Sequence, residues 1–296
     1  MVRDDQGSFV SGEGIETESL QLPIYDARQL TLANAMTLDQ NGFELLQAPV
    51  EQYDFMNHQQ VIGRYYADCE SLVAKATGAK TWAFDHNIRS AAGQTAGLKV
   101  SGGQDVQGPA HIVHGDYTLR SAPERLMQLA TPPRVNDTLR NVIGPDSALL
   151  PQDAVDQALA EGGRFAIVNV WRSIADEPVA THPLALCDGQ MVETQDLVVF
   201  EIHMPDRIGE NYWSKCNEKH RFYTYPAMTR DEALLIKQWD SAGLLARSAG
   251  TLADRDGQGP CTFSFHSAFT QANTATHAPE RWSIEVRCVV LYSSTN

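Results

Sequence analysis

The sequence predicts a mainly β protein, a sandwich or jelly roll with helical decoration. Three observations carry that expectation. Strand-like apolar segments recur along the 296 residues at irregular spacing, with no internal repeat. Helical periodicity is confined to the front of the chain and two later insertions. No G-x-G-x-x-G follows a strand and no P-loop occurs, so nucleotide-binding folds get little support.

In order, residues 1–19 are rich in Gly, Ser and acids and read as a loose N-terminal tail, followed by one domain over 20–296. Residues 20–26 form a first strand, and Asn41-Gly42 is a turn signal before a short strand at 43–46. Between Asn57 and Gly78, the residues Val61, Ile62, Tyr65, Tyr66, Cys69, Leu72 and Val73 recur at three and four, an amphipathic helix ended near Gly78. Residues 81–85 are a strand. The Gly-, Ala- and Gln-rich stretch 90–107 reads as a mobile loop or lid, immediately before a strand at 110–118. Pro123 sits near the start of a helix over 122–129. Strands follow at 164–172, 183–188, 196–203 and 221–226. Thr229-Arg230-Asp231-Glu232 has the form of a helix cap with acids in the first turn, so 229–240 is expected to be helical, with Trp239-Asp240-Ser241 as its fold-supporting end. Strands at 262–266 and 282–292 complete the chain.

Composition narrows the partners. Lys and Arg number 23 against 37 Asp and Glu, a net charge of −14, which argues against nucleic acid or an anionic membrane as main partner. No apolar run approaches the roughly 20 residues of a membrane span. The opening Met1-Val2-Arg3-Asp4-Asp5 lacks the apolar stretch of a signal peptide. The five cysteines are widely spaced and contain no C-x-x-C, a reduced pattern. A soluble cytoplasmic protein is expected; a homodimer is left open.

The chemistry centres on Val113-His114-Gly115-Asp116-Tyr117-Thr118. On a strand, residues i and i+2 point to the same face, so the His114 imidazole and the Asp116 carboxylate can converge. They would form two-thirds of a 2-His-1-carboxylate triad for non-haem Fe(II), with His266 as the third ligand. His111, three residues before His114, faces the other way and is left out. Arg281 and Ser283 follow His266 on a shared strand face, and a guanidinium with a nearby hydroxyl suits a carboxylate co-substrate. Arg287 competes for that role; Arg281 is favoured because it completes the Arg-x-Ser pattern. Arg172 points either into the barrel toward a carboxylate or to a structural ion pair. Tyr117 and Arg125 read as ordinary packing near the mouth. Asp85 in Phe84-Asp85-His86 reads as a capping residue in a turn rather than a second metal fragment.

The wider chain carries a resemblance. Phe84-Asp85-His86-Asn87-Ile88-Arg89, the block Val113-His114-Gly115-Asp116-Tyr117-Thr118, Asn169-Val170-Trp171-Arg172, Pro226-Ala227-Met228-Thr229-Arg230-Asp231-Glu232-Ala233-Leu234, Trp239-Asp240-Ser241, His266-Ser267-Ala268-Phe269 and Arg281-Trp282-Ser283-Ile284-Glu285-Val286-Arg287 are similar to successive blocks of one family. It is the Fe(II)/2-oxoglutarate-dependent secondary-metabolite hydroxylase/desaturases resembling fungal gibberellin desaturase and the small component of cephamycin 7α-methoxylation. The resemblance runs from about residue 38 to residue 292. This chain departs from it at Gly115, Ser173 and Ser267, where such relatives more often show Asn, Pro and Thr. The first and last of these flank the proposed ligands and are expected to reshape the pocket. The resemblance implies a cupin-like double-stranded β-helix with Fe(II) on His114, Asp116 and His266. It implies 2-oxoglutarate chelating the iron and held distally by Arg281 with Ser283. Oxidative decarboxylation would release succinate and CO₂, and a small-molecule substrate would be hydroxylated, desaturated or cyclised with O₂. Two other classes stay in view: an iron dioxygenase of cupin type that needs no 2-oxoglutarate, and a catalytically inactive jelly-roll binding partner.

Overall fold

The computed structural model describes residues 1–3, 9–14, 16–31, 34–205 and 207–293. Two sheets pack against each other. The larger has nine strands in the order β2 (Phe9–Ser11), β1 (Val2–Arg3), β9 (Leu197–Met204), β10 (Arg207–Ser214), β6 (His114–Gly115), β13 (His266–Ala268), β8 (Leu184–Cys187), β11 (Phe222–Thr224) and β3 (Ile24–Asp26). The smaller has five, in the order β4 (Phe43–Gln47), β12 (Glu232–Asp240), β7 (Phe165–Ser173), β14 (Ser283–Leu291) and β5 (Lys80–Arg89), all antiparallel. This is the jelly roll expected from the sequence.

The small sheet is covered on both faces. Its inner face meets the large sheet, where Trp171, Leu234 and Ile236 pack with Leu186 of β8. Its outer face carries the helix Tyr66–Thr77. Double coverage explains why β7 and β12 are buried at every position instead of alternating. The front helix follows its sequence signals. Asn57 accepts from the backbone N–H groups of Gln59 and Gln60, a π-turn Val61–Tyr65 leads into the α-helix, and Gly78 ends it at φ +68°.

The segment expected as a helix at 229–240 is instead β12. The Thr229–Glu232 signal is a turn: Thr229 N–H donates to the Glu232 carboxylate at 2.9 Å, and Glu232 also takes both arms of the Arg28 guanidinium at 2.8 and 2.9 Å. Beyond it, Ala233-Leu234-Leu235-Ile236 is a continuous apolar run that pairs with β4 on one side and β7 on the other. Non-local pairing overrides the local capping signal.

Other boundaries shift. The strand expected at 110–118 is only two residues long, with Asp116 just past its end. The late strand begins at His266 rather than ending there. The stretch 90–107 is tied down: Ser90 and Gln107 bond each other and Ile88 through the backbone, a short helix Ala91–Thr95 forms, and Val100 and Val106 are buried. The loose tail expected over 1–19 contributes two strands, β1 running parallel to β9 with Val2 opposite His203 and β2 pairing beside it; residues 4–8 and 15 lie outside the described residues. Among the described residues, no helix is long and apolar enough to cross a membrane.

Asp240 supports the fold, as expected, but from a strand end. Its fully buried carboxylate takes Arg164 at 2.7 Å and the buried Lys237 at 3.1 Å. Asp240→Ala strands Lys237 without its main counter-charge. It is expected to lower unfolding stability by about 3–5 kcal/mol, measured by urea denaturation.

Candidate metal centre

Strands β6 and β13 are neighbours, and His114 and His266 lie directly opposite each other in register. Directly opposed residues project side by side, so the two imidazoles stand together, ring centroids 4.4 Å apart. Asp116 joins them from the segment leaving β6. One ligating atom from each of the three residues lies within 4.8 Å of the others.

Asp116 reaches this position because the opposite sheet holds it. Its Oδ2 accepts from Asn169 Nδ2 at 3.0 Å and Arg287 Nε at 3.2 Å, and its backbone N–H donates to Gln238 at 3.0 Å. The other oxygen, Oδ1, faces His114 Nε2 at 3.6 Å. Thus one carboxylate oxygen is locked and one is available. His114 Nδ1 bonds the Ile112 carbonyl at 2.8 Å, which puts the ring proton on Nδ1 and leaves the Nε2 lone pair for a ligand. His266 Nδ1 is buried without a hydrogen-bond partner.

Electrostatics set the protonation these donors need. Burial, aided by the neighbouring His266, lowers His114 to about 4, and burial lowers His266 as well. Burial alone would raise Asp116, but Arg287, His266 and His114 outweigh it and hold the carboxylate below its usual range. Two neutral imidazoles and one carboxylate are the state a divalent metal binds.

Beside this cluster lies a second feature. Arg281 is buried, with its guanidinium carbon 5.8 Å from the centre of the Trp171 ring, and one arm donates to the His182 carbonyl. Its Nε and the Ser283 hydroxyl are both buried without partners. Burial, with Arg89 adding repulsion, lowers this guanidinium to about 10. A buried cation with an unmet donor has the chemistry of an anion site.

The two competing arginines are thereby separated. Arg287 pairs with Asp116, with Asp85 at 3.0 Å and with Glu285 at 3.3 Å, so its guanidinium is an ion-pair hub shared by three carboxylates. Arg172 is a clearer correction. It alternates with Trp171 and Ser173 and faces the helix layer, donating to Tyr65 Oη at 3.0 Å and to the carbonyls of Ala48 and Arg230. It meets no carboxylate and does not face the cluster. Asp85 and His86 lie within β5, not in a turn: Asp85 pairs with Arg287 and accepts from Thr138, while His86 turns away to Tyr66 at 2.8 Å. The Cβ position of Gly115 meets the Phe263 ring at 3.1 Å, so that residue backs onto the core instead of shaping the pocket. His111 stays outside the cluster, bonded to His182 at 3.1 Å.

A cavity of about 380 Å³ opens onto His114 and Asp116. Phe84, Tyr117, Phe200 and Trp213 give it an aromatic lining, with Arg125 and Gln107 among the polar groups. Arg125 is held by Asp137 at 2.8 Å and lies over the Phe84 ring. Sequence reasoning missed Asn169, Gln238 and Glu285. Asn169 did carry a signal: it is a lone amide inside the apolar run Phe165–Trp171.

A jelly roll with two imidazoles and a carboxylate on its inner wall defines a class, the non-haem metal enzymes of the double-stranded β-helix. Comparison with known proteins narrows it. A family model described as YDMC, an oxidoreductase/YMDC permease-like domain, matches residues 2–144 and 147–291. An uncharacterized protein in the dcmA 3′ region of Methylophilus leisingeri is 38% identical over 175 residues, 58% of this chain and 79% of that protein. The alpha-ketoglutarate-dependent dioxygenase tstK of Talaromyces stipitatus is 28% identical over 263 residues, 87% of this chain and 80% of that protein. The solved structure of the iron and alpha-ketoglutarate-dependent endoperoxidase NvfI shares the fold at a TM-score of 0.66 and 23% identity, covering 86% of this chain and 80% of its own. The chain belongs to that oxidoreductase domain family, and its relatives include proteins named as alpha-ketoglutarate-dependent dioxygenases.

Asn169→Ala frees Asp116 Oδ2 from one of its two donors. It is expected to weaken Co(II) binding about ten- to a hundredfold in an anaerobic titration, whereas His114→Ala and His266→Ala should abolish it.

Proposed function

We propose that residues 20–296 form an oxygenase domain that oxidises a small natural product, with His114, Asp116 and His266 holding Fe(II) and Arg281 with Ser283 holding the distal carboxylate of 2-oxoglutarate. The observation that carries this reading is the pairing of a three-donor cluster with a buried, incompletely bonded guanidinium on the wall opposite. When bound, Fe(II) and 2-oxoglutarate supply the hard chemistry with O₂, yielding succinate, CO₂ and an oxidised substrate C–H bond.

The protein's part is geometric. The pairing of β6 with β13 fixes the two imidazoles. Asn169 and Arg287 keep one oxygen of Asp116 occupied, so that Asp116 offers a single ligand atom and leaves room for co-substrate and O₂. Arg281 orients the dicarboxylate through charge and a rigid fork. The aromatic cavity excludes water and presents one face of the substrate to the centre. Whether the product is hydroxylated, desaturated or ring-closed follows from which C–H bond that pose brings near. The partners are then a small molecule and O₂. The net charge of −14 supports no nucleic-acid role, and the free, mostly buried cysteines suit a cytoplasmic setting.

Succinate formation with Fe(II), ascorbate and 2-oxoglutarate tests the reading. The wild-type chain should turn over and His114→Ala should not; equal succinate from both would overturn the ligand assignment. Arg281→Ala is expected to raise the 2-oxoglutarate concentration needed for half-maximal rate at least about tenfold, as loss of a charge-assisted bidentate contact does.

A further inference from the structure

The inner face of the small sheet holds more unmet donors than Arg281 and Ser283 alone. Ser173, at the end of β7, is also fully buried, and its hydroxyl also lacks a hydrogen-bond partner. It lies directly opposite Ser283 in register, on the neighbouring strand. Directly opposed residues of an antiparallel pair share a face, with Cβ atoms about 4.5–5.5 Å apart. On the other side of Ser283, Arg89 of β5 is likewise directly opposite. The Arg281 guanidinium lies over Trp171, which shares the face of Ser173 on the same strand. Hence Arg281, Ser283 and Ser173 are three neighbouring buried groups, each with an unmet polar atom. More than nine in ten buried polar groups find a partner, so three exceptions in one patch need one explanation. Donors grouped beside the buried Arg281 cation call for an acceptor with negative charge and more than one oxygen.

We propose that Ser173 is a third contact for the dicarboxylate co-substrate, donating its hydroxyl to the same distal carboxylate that Arg281 and Ser283 hold. This rests on the proposed function above and adds a binding residue to it. One carboxylate carries two oxygens and about four lone-pair sites, enough for a guanidinium and two hydroxyls. A seat of this kind reads the distal carboxylate only. It leaves the 2-oxo acid end, which faces the metal cluster, untouched.

The test uses the full-length chain loaded with Co(II) under anaerobic conditions, with calorimetric titration of two ligands. 2-Oxoglutarate has both ends; 2-oxobutyrate has the 2-oxo acid but no distal carboxylate. Ser173→Ala is expected to weaken 2-oxoglutarate binding about tenfold, the effect of one hydrogen bond to a charged group. It should leave 2-oxobutyrate and Co(II) affinities unchanged. The thermal midpoint of the ligand-free protein should stay level or rise, because the substitution removes an unpaired buried hydroxyl. Unchanged 2-oxoglutarate affinity in Ser173→Ala, alongside loss in Arg281→Ala, would overturn this inference and leave the proposed function standing. Equal weakening of both ligands, or a lowered ligand-free midpoint, would assign Ser173 to packing and overturn it also. If the wild-type chain fails to bind 2-oxoglutarate, or Arg281→Ala binds it as well as wild type, the proposed function itself falls.

Discussion

The site depends on one carboxylate suspended between two sheets. Asp116 leaves the large sheet directly after β6, and the small sheet captures it through Asn169, Arg287 and Gln238. Neither sheet could do this alone. The large sheet fixes the two imidazoles by strand register, and the small sheet fixes the third donor by hydrogen bonds. A one-residue slip of β13 against β6 would turn the His266 imidazole to the opposite face and separate the donors.

The same arrangement explains the polar character of a face that packing alone would make apolar. Where the small sheet meets the cluster, its inner positions are Asp85, Asn87, Glu285, Arg287 and Asn169. Burying such groups is costly unless each is paired. Arg287 meets much of that requirement by joining three carboxylates. Toward the other end of the strands the pairing gives out, at Arg281, Ser283 and Ser173. The contrast separates a half whose carboxylates are paired through Arg287, which shapes the metal donors, from a half where a guanidinium and two hydroxyls stay unmet. It also distinguishes the two arginines that the linear pattern could only rank by the Arg-x-Ser spacing: Arg287 meets three carboxylates, whereas Arg281 meets a carbonyl and keeps an unmet Nε.

Much was legible in the chain. The helix ending at Gly78 follows from its three-and-four periodicity, the Asn41-Gly42 turn introduces β4, and the last strand stands where its apolar run lies. The segment 229–240 was misleading because its capping signal is real but serves a turn; only its pairing with β4 and β7 makes it a strand. Arg172 was misleading for a related reason. Alternation along β7 tells which residues share its face, but not which face looks inward.

Residue type and spacing alone determined the donor chemistry: two histidines and an aspartate able to hold a metal, and an Arg-x-Ser pair able to hold a carboxylate. Those candidates were named from spacing along an expected strand and from side-chain chemistry, although Asp116 lies just past the end of β6 and the opposite sheet holds it. Tertiary structure decided what binds what. It brought His266 opposite His114 across 152 positions of sequence, committed Arg287 to Asp116, turned Arg172 away, and set Ser173 beside Ser283. Such decisions rest on which strands become neighbours, and that is settled by burial of whole faces, a property that no local stretch of sequence contains.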